Sequence, residues 1–200
     1  MIRVAIVDDH HAVRLGLNAA LQSEPGLVPV GTAADAAEIS PLLYRSRPDI
    51  VLLDHNLPDR DGLTVCHEIK SQALAPGIII YSAFADHSMT VPAIVAGADG
   101  ILDKGLPSRD LFDAIREVKR GGTALPPISN EHLQVAAAAL DERDLPILGM
   151  LIDATPVTEI ADTLRIDLPA LRRRTRRMLA NLLASVGRHA APPPPAGARR

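Results

Sequence analysis

A short apolar run that ends in a carboxylate constrains the fold more than any other part of this sequence. Residues 50–53 read Ile-Val-Leu-Leu, Asp54 follows, and Leu57-Pro58 and Asp61-Gly62 then mark a turn. A continuous apolar run between turn residues is typical of a strand buried on both faces, as in a parallel sheet covered by helices. Asp54 would then lie at the carboxyl edge of that sheet, where ligands and chemistry collect.

The same alternation of strand and helix occurs five times within the first 121 residues. Apolar runs predict strands at residues 3–7, 27–33, 50–54, 78–81 and 101–102. Apolar side chains at helical spacing predict helices at residues 12–23, 36–45, 64–71, 91–96 and 108–120, the last capped by Ser108. Five strand–helix pairs predict an α/β fold, a doubly wound parallel sheet with helices on both faces.

The pattern changes after residue 121. Gly121-Gly122 and Pro126-Pro127 indicate a linker over residues 122–139, which includes a short Ala-rich helix capped by Ser129. Residues 140–185 carry only helical periodicity and predict a second, all-helical domain. Residues 186–200 contain four consecutive prolines and predict a disordered tail.

Composition excludes several classes of protein. No apolar run is long enough to span a membrane, and the N-terminus lacks the pattern of a signal peptide. The single Cys66 cannot form an internal disulfide, which favours the reducing cytoplasm. Aromatic residues make up 2% of the chain, so stacking of nucleic-acid bases on aromatic side chains is not expected.

Charge is divided unequally along the chain. Residues 1–167 hold 13 basic and 24 acidic residues, a net charge of -11, whereas the last 33 residues hold eight arginines and no acidic residue. This division suggests an acidic regulatory or catalytic body with a basic end that meets a polyanion.

Polar side chains follow four of the predicted strands. Asp8 and Asp9 follow the first strand, Asp54 the third, Ser82 the fourth and Lys104 the fifth. Three carboxylates at one sheet edge repel each other unless a divalent cation neutralises them, and oxygen ligands favour Mg²⁺. A lysine and a hydroxyl there can hold phosphoryl oxygens, so the set predicts a phosphoryl-accepting site with Asp54 as the nucleophile.

Other interpretations of these side chains remain open. Asp54 alone could serve as a helix cap. His10, His11 and His55 flank the carboxylates and could indicate zinc. Cys66 is expected to be a small core residue.

The ordered set resembles the receiver domain of two-component response regulators over residues 1–121, which implies a CheY-like (flavodoxin-like) fold. The Leu57-Pro58 and Asp61-Gly62 turn and the Gly-Ala-Asp-Gly run at 97–100 belong to this resemblance. It implies that a sensor histidine kinase phosphorylates Asp54, and that Ser82 is the switch hydroxyl. It also implies Mg²⁺ ligands, namely Asp9, Asp54 and the backbone carbonyl of Asn56, with Asp8 helping directly or through water.

Two positions depart from the receiver pattern. Ile101 stands where the family usually has an aromatic switch residue, three positions before the lysine, and Pro92 falls in the fourth helix. The resemblance therefore leaves the path from phosphorylation to output unassigned.

An arginine-rich helix is predicted over residues 168–183. Leu171, Thr175, Met178 and Leu182 share one face. The arginines divide around that face, with Arg172, Arg173 and Arg176 opposite it and Arg174 and Arg177 beside it. Arginine pairs with phosphate or bonds bidentately to guanine, so this helix is a plausible reader of the major groove.

Residues 140–183 resemble the helix-turn-helix output domain of the LuxR type, found in NarL/FixJ response regulators. The resemblance rests on Leu148 to Leu151, Glu159-Ile160-Ala161 and Leu171-Arg172. It implies binding to double-stranded DNA and a homodimer in the active form. Ala154 replaces the usual turn glycine, and Thr158 replaces a lysine that contacts phosphate.

These features together predict a cytoplasmic response regulator that controls transcription and is not an enzyme. One alternative is a receiver whose C-terminal helices bind a protein partner, and another is a regulator that acts without phosphorylation. Phosphatases of the haloacid-dehalogenase type also form aspartyl-phosphate, but their Asp-x-Asp pattern on the first strand is absent here.

Overall fold

The computed structural model describes residues 1–72, 74–83 and 87–189. Its first part is a parallel sheet in the order β2-β1-β3-β4-β5. The strands are β1 (Ile2–Val7), β2 (Leu27–Ala33), β3 (Ile50–Asp54), β4 (Gly77–Ser82) and β5 (Gly100–Asp103). This order confirms the doubly wound α/β fold, and its reversal between β1 and β3 opens a crevice at the carboxyl edge.

Five helices cover the two faces of the sheet: α1 (His11–Ser23), α2 (Ile39–Ser46), α3 (Gly62–Lys70), α4 (Thr90–Ala96) and α5 (Ser108–Lys119). Ile50 and Leu52 of β3 belong to the core beneath α1 and α5, whereas Val51 and Leu53 belong to the core beneath α2, α3 and α4. Because both faces of β3 are covered, every residue of its run must be apolar until Asp54 leaves the core.

Local sequence explains the ends of two of these helices. Pro92 lies in the first turn of the seven-residue α4, where its missing N–H removes no hydrogen bond within the helix. A short 3₁₀ turn, His87–Met89, precedes it. The prediction that Ser108 caps α5 is wrong, because Pro107 occupies the cap position and no side chain caps the helix.

The rest of the described chain is helical: α6 (Asn130–Ala138), α7 (Leu145–Ile152), α8 (Val157–Leu164) and α9 (Leu168–His189). Ser129 caps α6, as predicted, and Asp167 caps α9 by accepting the N–H of Ala170. Leu182 and Ser185 are still buried, so α9 continues beyond Leu183 and includes residues 186–189 of the predicted tail. Residues 190–200, with the four prolines, lie outside the described residues.

The C-terminal helices pack against the α/β part on α3 and α4. Val91 and Val95 of α4 belong to one hydrophobic cluster with Ile147 of α7 and with Leu171 and Met178 of α9. The apolar stripe predicted for α9 therefore packs partly on the other C-terminal helices and partly on α4 of the α/β part. Among the described residues, no helix is long and apolar enough to cross a lipid bilayer.

Ala154 adopts the left-handed conformation, with φ of 55°, in the turn between α7 and α8. A side chain with a Cβ is strained there. Ala154→Gly should therefore raise the free energy of unfolding by about 0.5–1 kcal/mol, measured by denaturant unfolding. As a matched control, Ala184→Gly in the exposed part of α9 should lower it by about 1 kcal/mol. Destabilisation by both substitutions would contradict the strain.

Candidate functional site

The strand ends bring three of the predicted site residues into contact. Lys104, just after β5, places its Nζ 2.6 Å from Asp8 Oδ2 and 2.9 Å from Asp54 Oδ2. Asp8 and Asp54 are 1% and 4% exposed. A single ammonium group thus bridges two buried carboxylates across the crevice between β1 and β3.

The contacts with Asp8 and Asp54 keep the Lys104 side chain protonated. Burial on its own would lower the pKa of Lys104, but the hydrogen bonds and charges of Asp54 and Asp8 together raise it above its usual value. Because the pKa of Lys104 is raised, its charge is present at neutral pH, and its contribution to stability is lost as the pH rises through that pKa. Ser82, the last residue of β4, is fully buried, and its carbonyl oxygen accepts a hydrogen bond from the backbone N–H of Lys104 at 2.8 Å.

The loop after Asp54 is held by close backbone contacts. Asp54 Oδ1 accepts the N–H of Asn56 at 3.3 Å, and the Gly62 N–H donates to the His55 carbonyl at 2.6 Å. A Cβ at position 62 would lie 2.2 Å from the Asp54 carbonyl oxygen, so only glycine fits. Asp61 caps α3 by accepting the N–H of Thr64. The start of α3 is therefore fixed directly beneath the Asp54 loop.

Four residues are placed to bind a metal ion together: Asp8, Asp9, His10 and Asp54 each offer a ligand atom, and these atoms lie within 4.8 Å of one another. Asp8 Oδ2 is buried and already faces a cation, because the Lys104 ammonium group lies 2.6 Å away. Three carboxylates fit a hard divalent cation. His10 Nδ1 lies 2.6 Å from Asp9 Oδ1. His11 and His55 do not belong to this group of four possible metal ligands.

Arg14 in α1 is a residue that the sequence reasoning missed. Its Nη1 donates to the carbonyl oxygens of Asp8 at 2.6 Å and Asp9 at 2.9 Å. It therefore fixes the backbone of the loop that presents the two carboxylates. A basic residue in the first helical turn after an acidic pair was the available signal.

Arg14→Ala should raise the Mg²⁺ concentration needed for half-maximal phosphorylation by a small phosphodonor. We expect an increase of roughly tenfold, as is typical when a group that orients metal ligands is removed. Arg14→Lys keeps the charge but not the forked geometry and should be intermediate. The matched control is Arg109→Ala, which removes the same charge from an exposed position of α5 and should leave the Mg²⁺ dependence unchanged. An unchanged Mg²⁺ dependence in Arg14→Ala would contradict this role.

The arginines of α9 fall into two sets. Arg174 Nε and Arg177 Nη2 lie 2.7 and 3.0 Å from the two carboxylate oxygens of Asp144, which is 1% exposed. The three arginines predicted on the outer face are exposed and have no ion pair among the described residues: Arg172, Arg173 and Arg176. The buried stripe and the exposed arginine face are arranged as the sequence predicts.

Comparison with known proteins agrees with this geometry. Residues 4–116 match the family of the response regulator receiver domain. The chain belongs to the response regulator family. It is 30% identical over 193 residues to the transcriptional regulatory protein LiaR of Bacillus subtilis, covering 91% of each chain. It is 29% identical to the DNA-binding transcriptional activator DevR/DosR of Mycobacterium tuberculosis, covering 91% of this chain and 88% of the relative.

Solved structures of response regulators are similar to this one. A LuxR-family response regulator from Aurantimonas sp. SI85-9A1 is 31% identical, with a TM-score of 0.59 over 67% of this chain and 94% of the other. RcsB of Salmonella enterica serovar Typhimurium, solved on a promoter, is 22% identical, with a TM-score of 0.60 over 92% and 98%, and shows the fold alone. The predicted membership in the LuxR-type response regulators of two-component systems is confirmed.

Proposed function

We propose that this response regulator accepts a phosphoryl group on Asp54 from a sensor histidine kinase and so controls the binding of α9 to double-stranded DNA. The observation that carries the proposal is the Lys104 bridge between Asp8 and Asp54. It supports the proposal because it brings two carboxylates and an ammonium group together at one point of the sheet edge, as a nucleophile, a metal ligand and a phosphate-binding group require. Receiver domains generally bind Mg²⁺ in such an acidic pocket.

The residues have distinct parts in the transfer. An Asp54 carboxylate oxygen attacks phosphorus, the P–N bond of the kinase phosphohistidine breaks, and an acyl phosphate forms. Asp9, Asp54 and the carbonyl of Asn56 would hold Mg²⁺, with Asp8 assisting, and the bound ion would offset the charge of the carboxylates and phosphoryl oxygens. Lys104 gives up its contact with one carboxylate and binds a phosphoryl oxygen instead. The Ser82 hydroxyl moves toward the phosphoryl group.

The output is supported by the three exposed arginines without ion-pair partners. Guanidinium groups in this arrangement suit phosphate contacts and bidentate contacts with guanine. Arg174 and Arg177 lie beside these three arginines. Because both pair with Asp144, their first role is to hold α9 in place. The names of LiaR and DevR/DosR agree with a role in transcription. We place the protein in the cytoplasm and its active form in a homodimer.

The proposal is tested by treating the full chain with acetyl phosphate and Mg²⁺. We expect a mass gain of one phosphoryl group, a shift to the dimer on size exclusion, and stronger retention of a random-sequence duplex library at low salt. No mass gain would overturn the phosphoryl-acceptor role. Equal retention before and after treatment would favour a regulator independent of phosphorylation, and no retention in either state would favour a protein partner.

A further inference from the structure

One side-chain hydrogen bond joins the phosphoacceptor part of the chain to the arginine helix. His67 Nε2 of α3 lies 2.8 Å from Thr175 Oγ1 of α9. Both residues are nearly buried, at 8% and 6% exposure. The Thr175 hydroxyl also donates to the Arg172 carbonyl at 3.1 Å, so its proton is used there and the His67 N–H donates to Thr175.

The surroundings of His67 favour the neutral ring. Arg172 and Arg176 of α9 and Glu68 of α3 are the charges that act on it. Glu68 is held by a forked pair with Arg60, at 2.8 and 2.5 Å, which limits its attraction for an imidazolium. Lys70, also near this contact, is paired with Asp99, and α4 contributes only apolar side chains such as Ile94 and Val95.

We propose that His67 is a proton-sensitive latch. The neutral ring holds α9 docked on α3 and α4, and protonation of the ring releases it. The hydrogen bond itself survives protonation, because the imidazolium still donates to Thr175. What changes is the cost of burying a positive charge beside Arg172 and Arg176.

The direction of the pH dependence follows from the same contacts. Burial first, and then the charge of Arg176, lower the pKa of His67 in the docked form, and Arg172 adds to this while Glu68 opposes it. Released His67 is solvated and regains its ordinary pKa of about 6.5. The stabilisation of the docked form is thus complete above about pH 6.5 and is lost as pH falls below it. Between about pH 6.5 and the lowered pKa of docked His67, the ratio of released to docked protein rises by up to about tenfold for each pH unit of acidification.

The contact between His67 and Thr175 would then respond to two signals, pH and phosphorylation of Asp54. Gly62 fixes the start of α3 beneath the Asp54 loop, and His67 lies five residues further along the same helix. A change at Asp54 can therefore reach α9 through α3. The route does not require an aromatic residue at position 101, where Ile101 is buried in the core.

The test measures the arrangement of the full chain rather than DNA binding, so its failure is distinct from failure of the proposed function. Small-angle X-ray scattering at about pH 7.5 and about pH 5.8 spans the histidine range and leaves ordinary carboxylates ionised. We expect the wild type to be compact at the higher pH and to expand at the lower. His67→Gln keeps a hydrogen-bond donor but cannot be charged, and it should stay compact at both.

Two further measurements make the result specific. His132, which stacks on His87 with ring centroids 6.4 Å apart, is another histidine contact between the two parts, and His132→Gln should keep the wild-type response. In the wild type, the NMR resonance of the His67 ring should titrate in step with the expansion, a readout that needs no substitution. Expansion of His67→Gln equal to that of the wild type, or a wild type that stays compact while His67 titrates, would overturn the latch.

Discussion

Asp54→Asn should abolish uptake of a phosphoryl group from acetyl phosphate, whereas the wild type is converted to a singly phosphorylated form. An amide oxygen is a far weaker nucleophile than a carboxylate, so we expect the rate to fall by roughly three orders of magnitude or more. Intact mass after a fixed time of treatment measures the effect.

The control lies in the same loop. Asp59→Asn makes the same chemical change at an exposed carboxylate and should be phosphorylated like the wild type. Lys104 keeps its contact with Asp8 in Asp54→Asn, so the variant should remain folded by circular dichroism. Phosphorylation of Asp54→Asn at the rate of the wild type would show that Asp54 is not the acceptor.

The sheet and its edge could be predicted from the sequence because both follow from local pattern. The apolar run of β3 is continuous since both of its faces are covered, and it ends where Asp54 leaves the core. Parallel strands put their carboxyl ends together, so polar residues after the strands must converge. The contact of Lys104 with Asp8 and Asp54 is the direct consequence of this rule.

The contacts between distant segments could not be predicted in the same way. Periodicity shows that the stripe of Thr175 and Met178 is inward, but not that α4 covers part of it. The bond from His67 to Thr175 joins residues 108 positions apart, and Arg174 reaches Asp144 across 30. Neither partner carries a motif that marks the other. The same limit explains why the sequence placed Arg174 and Arg177 beside the apolar face but did not show that both pair with Asp144.

Arg172→Ala combined with Arg176→Ala should greatly weaken binding to duplex DNA without loss of stability. Both side chains are exposed and have no ion pair among the described residues, so thermal unfolding should be unchanged. Two lost phosphate contacts should lower the slope of log affinity against log salt by about two. Affinity at low salt should fall at least about tenfold, and further if either arginine reads a base.

Two comparisons decide what these arginines do. The α5 control, Arg109→Ala with Arg120→Ala, removes the same charge from α5 and from the residue that follows it, and should leave DNA binding near that of the wild type. Arg174→Ala should instead lower the free energy of unfolding by about 1–3 kcal/mol, because it leaves buried Asp144 with Arg177 alone. If the Arg172/Arg176 variant bound DNA as well as the α5 control does, the exposed face of α9 would not be the DNA surface. The C-terminal helices would then be better explained as a docking site for a protein partner.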